Sequence, residues 1–558
     1  MAEKSFTITD ACRGCTLCAK ICPVHAINGT LKQKHVIDPE RCICCGACGR
    51  VCGNGAVLDA GGKPAERISR NEWKKPAIDS DACVGCSACL VSCPKHSLAL
   101  SEPRYQGDTR ITAVLAKPED CIACGECEKV CPVGAVRLVK SGETAVFIDS
   151  SKQKGGISML SKAYCRTFQS VMKIANYFLG YRMPEYIEGP GSIARLPEFM
   201  KEKGAQKALV VTDANIMKLG LMDKMLESLD RAGFKYSTFC DLAVNPTSAN
   251  VEAGYKAYKD NNCQCLIAFG GGAPMDCAKG IAARVVHPNK TVAQLQGLLK
   301  VHKKIPLFFA IPTTSGTGSE TTVAAVITDS ETHHKASIND PCILPKYAIL
   351  DPELTKGLPQ KVTATTGMDA LCHAVEAYTN HKYNTPLEDK LAKDAVKLIY
   401  DSLLKAYTNG QDLEARQNMQ RAAFFAGRAF TRGCVGYVHA VGHTLGGLYG
   451  VPHGLAMSII LPYVMRQFGP AVHKRLAELA DVCGMKGSTD AEKAEKFIGW
   501  IEQMKRDMQI PAGLDMIKDK DVDQIISWAM KEANPLYPVP VIWGRADFEK
   551  LLQKMRTA

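Results

Sequence analysis

Apolar positions change their spacing along the chain, and each change marks a different kind of structure. From residue 182 onward, short apolar runs alternate with helical stretches. The runs are Ala208-Leu209-Val210-Val211, Cys265-Leu266-Ile267-Ala268-Phe269 and Leu307-Phe308-Phe309-Ala310-Ile311. Strands alternating with helices predict a parallel α/β sheet. After about Leu358 the strand pattern fades, and long amphipathic helices run to the end, among them Leu387 to Tyr407. Residues 1–140 show no long helical pattern. Between lies a connector, 141–180, which holds the stretch Ser150-Ser151-Lys152-Gln153-Lys154-Gly155-Gly156 and then a helix from about Ile157 to Leu179. The expected plan is two modules at 1–60 and 75–140, the connector, an α/β domain at 181–358 and an all-α domain at 359–558.

The composition is that of globular protein: 558 residues, 46% hydrophobic and 23% charged. No run of apolar residues is long enough to span a membrane. The opening Met-Ala-Glu-Lys-Ser-Phe-Thr-Ile-Thr-Asp has no apolar export segment, so a cytoplasmic protein is expected. Cysteine is the outlier, with 26 in all and 17 of them before residue 132. Without an export signal, thiols at that density read as metal ligands rather than disulfides. The net charge of +12 raises nucleic acid as a partner. Thiolates bound to metal carry negative charge that would offset part of that excess. No basic run is interleaved with aromatics, and a solvated surface is the better reading of the Lys and Arg.

The cysteines fall in four copies of one motif. Cys12, Cys15, Cys18 and Cys22 follow C-x2-C-x2-C-x3-C, with Pro23 next. Cys83, Cys86, Cys89 and Cys93 repeat it before Pro94, and Cys121, Cys124, Cys127 and Cys131 before Pro132. In the remaining copy, Cys42, Cys45, Cys48 and Cys52, Gly53 replaces the proline and leaves the turn less restrained. Zinc knuckles or free thiols are the alternatives, and four copies weigh against both. The region resembles bacterial two-cluster ferredoxins, twice over. In that family the tight loop wraps one cubane and the fourth cysteine reaches the other. The resemblance therefore implies four [4Fe–4S] clusters. Cys12, Cys15, Cys18 and Cys52 would hold one, and Cys42, Cys45, Cys48 and Cys22 its partner. Cys83, Cys86, Cys89 and Cys131 would hold a third, and Cys121, Cys124, Cys127 and Cys93 a fourth. Cys44 is extra and is expected to be a small buried hydrophobe, a ligand swap with Cys45 being the minor alternative.

Two further groups carry chemistry. The run ending at Phe269 passes into Gly270-Gly271-Gly272-Ala273-Pro274-Met275-Asp276, where backbone N–H groups and a helix N-terminus suit a pyrophosphate. A plain glycine turn is the alternative. Downstream, Asp369 and His373 stand at i and i+4, as do His439 and His443, and Pro452-His453-Gly454 adds a further histidine. One Asp and three His suit a divalent iron or zinc ion with an open position, whereas a lone histidine would more often be a core residue.

Together these residues resemble the iron-containing (group III) alcohol dehydrogenases, over about residues 177–558. Pro312-Thr313-Thr314-Ser315-Gly316-Thr317-Gly318-Ser319-Glu320, Asp213 after Val210-Val211-Thr212, and Asn245-Pro246-Thr247 match as well. The resemblance implies a Rossmann-like α/β domain and an all-α metal domain in a dehydroquinate synthase-like arrangement, behind the ferredoxin-like α+β modules. It implies Asp369, His373, His439 and His453 as metal ligands, iron being favoured and zinc not excluded. His443 becomes the proton relay beside the nicotinamide. Gly270, Gly271, Gly272, Asp276, Thr313, Thr314 and Thr317 would hold NAD(H). Asp213 at the adenosine ribose would favour NAD over NADP, since a carboxylate repels a 2′-phosphate. Ala273 departs from the usual serine and costs one hydroxyl. Phe430 and Ala324 fall at the substrate pocket, and an alanine at 324 would favour short unbranched primary alcohols and aldehydes over vicinal diols; simple packing is the alternative.

The expected activity is thus hydride transfer between NAD(H) and a short primary alcohol or aldehyde, in a homodimer or larger homo-oligomer. Clusters move one electron and hydride transfer moves two, and no flavin motif is visible to convert between them. The iron–sulfur half is therefore expected to dock a flavoenzyme or draw on a ferredoxin pool. The rival is an electron carrier whose dehydrogenase half is only a scaffold, and the intact Asp/His set disfavours it.

Overall fold

The computed structural model describes residues 5–80, 82–102, 111–140, 159–242, 245–330 and 335–556. It divides into two compact units, Met1–Lys154 and Gly155–Ala558.

The first unit repeats one small pattern. Strand Thr7–Ile8 pairs antiparallel with Val57–Leu58, and Ile27–Asn28 with Val36–Ile37. In the second copy Lys75–Ile78 pairs with Val136–Val139, and Leu98–Leu100 with Ala113–Leu115. Four short helices, Leu17–Ile21, Ala47–Val51, Ala88–Val91 and Glu126–Lys129, each carry the third cysteine of a motif. The apolar core is slight: Ala26, Ile27, Ile37 and Val57 pack against thiols in one module, and Leu98, Ala113 and Val136 in the other. A domain with so little to bury needs bound metal as a staple.

The second unit is built on six parallel strands. They are β1 (Glu185–Glu188), β2 (Lys207–Val211), β3 (Lys235–Phe239), β4 (Cys265–Gly270), β5 (Leu307–Pro312) and β6 (Tyr347–Leu350), in the order β3-β2-β4-β5-β6-β1. The apolar runs are continuous because both faces are covered. Leu209, Val211, Leu266, Ala268, Phe308 and Ala310 join one core. Ala208, Val210, Cys265, Ile267, Phe309 and Ile311 join the other. That is period-two alternation in a parallel sheet buried on both sides. The order reverses between β2 and β4, so a crevice opens at their carboxyl ends.

Beyond the sheet the chain is helical. The helices that matter for the site are α1 (Met159–Phe178), α2 (Gly272–Val286), α3 (Gln360–Asn380), α4 (Leu413–Gly433), α5 (Tyr437–Tyr449), α6 (His453–Phe468) and α7 (Val522–Ala533). The sequence-predicted helix Leu387–Tyr407 is found as Pro386–Thr408, set by a capping box between Thr385 and Glu388. The helix expected from Ile157 to Leu179 is found as α1, its predicted start lying outside the described residues. Its Cys165 is buried in the helical core.

Candidate active site and cluster ligands

In the first unit all four cysteine loops share one backbone path. The residue before the second cysteine is left-handed in each: Gly14 (φ 64), Cys44 (φ 53), Gly85 (φ 61) and Ala123 (φ 55). So is the residue that enters each helix: Thr16, Gly46, Ser87 and Gly125. Two such turns curl the loop so that its N–H groups face inward, a concavity that favours anionic sulfur. The fourth cysteine of each motif accepts from a backbone N–H four residues on: Ala26 to Cys22 (3.2 Å), Ala56 to Cys52 (3.3 Å), Ser97 to Cys93 (3.4 Å) and Ala135 to Cys131 (3.2 Å). The copy with Gly53 in place of proline keeps the same contact.

Cys22, Cys42, Cys45 and Cys48 line one cavity, and Cys93, Cys121, Cys124 and Cys127 another. Burial pushes the Cys18 thiol up to about 11, helped by Cys12 and Cys15. Burial and neighbouring Cys83, Cys86 and Cys131 raise Cys89. Cys52 packs in the same core as Cys18. Thiols gathered and desolvated in this way need a cation to ionise, so the cysteines fit clusters. The expectation for Cys44 is corrected. It is exposed, because its left-handed backbone follows the path of Gly14 and Gly85 and turns its thiol to the surface beside Cys42.

In the second unit, α3 places Asp369 and His373 one turn apart, α5 presents His439, and α6 begins at His453. Ligand atoms of these four lie within 4.8 Å of one another. His453 Nε2 is 3.3 Å and His439 Nε2 4.0 Å from Asp369 Oδ1. The close approach depends on Gly454, where a Cβ would meet the Thr365 carbonyl of α3 at 2.4 Å. Asp369 Oδ1, His373 Nδ1 and His439 Nε2 are buried with no hydrogen-bond partner. Unpaired buried polar atoms each cost about 1–3 kcal/mol, so three of them in residues whose ligand atoms gather in this way fit a bound cation. Burial holds His373 down at about 3 and His439 well below its usual range, leaving both rings neutral with lone pairs to donate. Phe430 stacks on His373 at 4.2 Å.

Two carboxylates that the motifs did not point to complete the site. Glu376, on α3, has Oε2 2.6 Å from His439 Nδ1, and its Oε1 accepts from the Val438 N–H. His443 Nδ1 lies 2.8 Å from Glu532 Oε1 on α7, and that oxygen also accepts from the Tyr537 hydroxyl at 2.9 Å. Against the effect of burial, Glu532 raises the His443 pKa. Glu376 was readable as i+3 from His373. Glu532, about 90 residues downstream, had no local signal.

The nucleotide-side residues gather at the carboxyl ends of β2, β4 and β5. A Cβ on Gly271 would sit 3.4 Å from Thr314, and one on Gly272 3.2 Å from Thr317, so the two loops face each other. Thr313 N–H donates to Gly270 O at 3.1 Å. Asp213 caps the turn after β2, accepting from Asn215 and Ile216 N–H. Ile216 in turn packs at Gly270. Asp276 has both oxygens engaged by protein, Oδ1 by Ser319 Oγ and Oδ2 by Val326 N–H. Beside it, fully buried Lys279 donates to Ser319 Oγ, Thr322 Oγ1 and the Ala324 carbonyl. Ala324 opens strand Ala324–Thr328 in a separate three-stranded sheet.

Residues 184–352 match the iron-containing alcohol dehydrogenase family, and residues 363–555 match the C-terminal part of the Fe-containing alcohol dehydrogenase family. Alcohol dehydrogenase 4 of Schizosaccharomyces pombe is 39% identical over 359 residues, which are 63% of this chain and 83% of that protein. The chain belongs to the iron-containing alcohol dehydrogenases. The NAD-dependent methanol dehydrogenase of Bacillus methanolicus is 37% identical over 363 residues, 64% of this chain and 94% of its own length. The crystal structure of a 1,3-propanediol oxidoreductase superposes with a TM-score of 0.65 at 35% identity, over 68% of this chain and all of that one. What sets this chain apart from the matched segments is its N-terminal unit, where a 4Fe-4S dicluster domain matches residues 82–135 and a 4Fe-4S binding domain residues 9–25. This iron-containing alcohol dehydrogenase thus carries fused 4Fe–4S ferredoxin-type domains.

Proposed function

We propose that this dehydrogenase passes hydride between NAD(H) and a short primary alcohol or aldehyde, with a divalent ion, iron by family, held by Asp369, His373, His439 and His453. The observation that carries the reading is that ligand atoms of Asp369, His373, His439 and His453 lie within 4.8 Å of one another, in residues whose Asp369 Oδ1, His373 Nδ1 and His439 Nε2 are buried without a hydrogen-bond partner. A divalent cation there supplies Lewis-acid polarisation of the substrate oxygen. Glu376 fixes His439 with its Nδ1 proton-bearing, so that Nε2 faces Asp369. His443, with Nδ1 held by Glu532, takes or returns the hydroxyl proton at its other nitrogen. The facing loops Gly270–Gly272 and Thr313–Thr317 receive the pyrophosphate on backbone N–H groups, and Asp213 takes the ribose hydroxyls. Asp276 acts one step back, by holding Ser319 in place. Phe430, stacked on His373, walls the substrate side, and Ala324 leaves it without a partner for a second hydroxyl.

The four cysteine sets hold four [4Fe–4S] clusters in the pairing given above, and serve a ferredoxin or flavoenzyme partner rather than NAD directly. No helix among the described residues is long and apolar enough to cross a membrane, which suits work in the cytoplasm. The scaffold reading is disfavoured, because a scaffold has no use for three orphaned buried ligand atoms.

The test is anaerobic NADH oxidation with a panel of short aldehydes, alongside metal analysis. Turnover with about one mononuclear metal per chain is expected. A metal-loaded chain inert with every aldehyde would refute the reading.

A further inference from the structure

We propose that Arg50 joins the two dicluster modules into one relay, and makes the inner sites, Cys22/Cys42/Cys45/Cys48 and Cys93/Cys121/Cys124/Cys127, the first of the four to accept electrons. The proposal rests on the four-cluster reading.

Arg50 Nη2 donates to the carbonyl of Cys45 in its own module at 3.0 Å. The same atom donates to Ile122 O at 2.9 Å and Ala123 O at 3.1 Å in the other module. All three carbonyls belong to the cysteine loops of the inner sites. The guanidinium lies over the Trp73 ring, 5.5 Å from its centroid. Trp73, 3% exposed, packs with Ile122 and Ala123, and against Ile21, Val51, Ile68 and Cys124, so both modules contribute to this contact. Arg50 Nε is enclosed without a hydrogen-bond partner. The thiols that act on the Arg50 charge are Cys45 and Cys48 on one side and Cys124 and Cys121 on the other. The two inner sites are close enough that Cys124 also acts on Cys45.

Other cations near the inner sites differ in kind. Lys129 faces Cys124 and Cys45, but it is exposed and paired with Glu126 at 2.8 Å. Lys75 donates to Cys121 O and Pro118 O within its own module. Among the described residues, the main influences on Cys18 and Cys89 of the outer sites include no cation, and the Arg67 guanidinium lies near Gly53, beside Cys52. Each cluster gains one electron on reduction, and its total charge moves from about −2 to about −3. A partly desolvated guanidinium between two such centres favours the reduced form of both, because Coulomb attraction is strong where water is excluded. It stays cationic throughout. Among the described residues no hydrogen bond ties a guanidinium to the loops of both outer sites as Arg50 does at the inner pair, so electrons supplied by any one-electron donor collect at the middle of the relay.

The experiment is a redox titration of the anaerobically reconstituted full chain with dithionite, followed by electron paramagnetic resonance, after iron and sulfide analysis. About 16 cluster irons per chain establish the four-cluster reading before any potential is measured, and a count near eight removes it. In the unmodified protein two clusters should be reduced ahead of the other two, with equilibria at least tenfold apart, ~59 mV for a one-electron couple. A single wave for all four would overturn the proposal without touching the cluster count. Arg50→Gln should move the early pair toward the late pair by about tenfold and leave the late pair in place. Arg50→Lys should restore the separation, since it keeps the charge and loses the fork. Equal potentials in the Lys and Gln variants would mean that Arg50 is only a bolt between modules.

Discussion

Glu376 Oε2 lies 2.6 Å from Nδ1 of His439, and Glu376 sits on the same helix as Asp369 and His373, one turn beyond the latter. On the proposed reading, one helix would therefore present two groups to the ion and, with the next carboxylate along, orient a third that comes from another helix. Glu376→Gln leaves all four ligand side chains in place but removes the charge behind His439. Metal affinity should fall roughly 10–100-fold, read by competition with a chelator. Unchanged affinity would mean that the contact only packs α3 against α5.

His443 and His453 are stacked at 5.3 Å, yet they have different partners. His453 meets Asp369, and His443 meets Glu532. His453→Ala should empty the site and abolish turnover. His443→Ala and Glu532→Gln should keep metal and lower kcat by about 10²-fold or more. Equal metal loss in all three variants would merge the two roles.

Asp213 caps a turn and, on the proposed reading, also meets the ribose, and one substitution can separate the two. Its Oδ1 caps the turn after β2, which an asparagine also does. Asp213→Asn should therefore hold the melting temperature while raising the ratio of NADPH to NADH use. Selectivity that stays put would take Asp213 away from the ribose.

Glu320 is 2% exposed, and burial pushes its carboxyl up to about 7. The folded chain thus holds a proton there that the unfolded chain releases near pH 4.5. The stability this group contributes is complete below pH 4.5 and is lost as pH rises to about 7. Glu320→Gln stays neutral, so its melting temperature should gain on the unmodified protein between pH 5 and 7.5, by the equivalent of roughly 2–3 kcal/mol. Lys279, held by burial at about 8, titrates in a higher window. A difference that does not vary with pH would show Glu320 ionised throughout.

If Phe430, stacked on His373, and Ala324 wall the substrate pocket as proposed, they would favour an unbranched chain over a second hydroxyl. Butanal should exceed lactaldehyde in kcat/KM, and Ala324→Asn should narrow the gap. A hydroxyl left unpaired on burial costs about 1–3 kcal/mol, or roughly 5–150-fold. A preference for lactaldehyde would reject the apolar pocket, and a ratio unmoved by Ala324→Asn would clear position 324.

Much of this was legible because the chemistry is periodic. Three of the six strands, β2, β4 and β5, were visible as unbroken apolar runs, since a parallel sheet buried on both faces leaves no polar alternation there, whereas β1 (EYIE) and β3 (KYSTF) at the edges carry polar residues and gave no such signal. Asp369 and His373 were visible because four residues make nearly one helical turn. What was hidden depended on contacts between elements distant in sequence. Glu532 reaches His443 from another helix, and Asp276 turns its carboxylate inward to Ser319. The surface position of Cys44 follows from a left-handed turn that glycine usually marks and cysteine disguises.

Helix α1 shows where the dehydrogenase half can be cut. Arg166 donates to Val539 O and Pro540 O, and Gln169 to Pro535 O and Tyr537 O. The segment they grip is the one that brings the Tyr537 hydroxyl to Glu532, and so to His443. A chain shortened to begin at the first strand of the sheet would keep every ligand and every nucleotide loop. It would also strip the donors from four carbonyls and loosen the backing of His443. The family match begins at residue 184, whereas the contacts that brace this segment begin at Arg166, so a cut between them should lower the melting temperature.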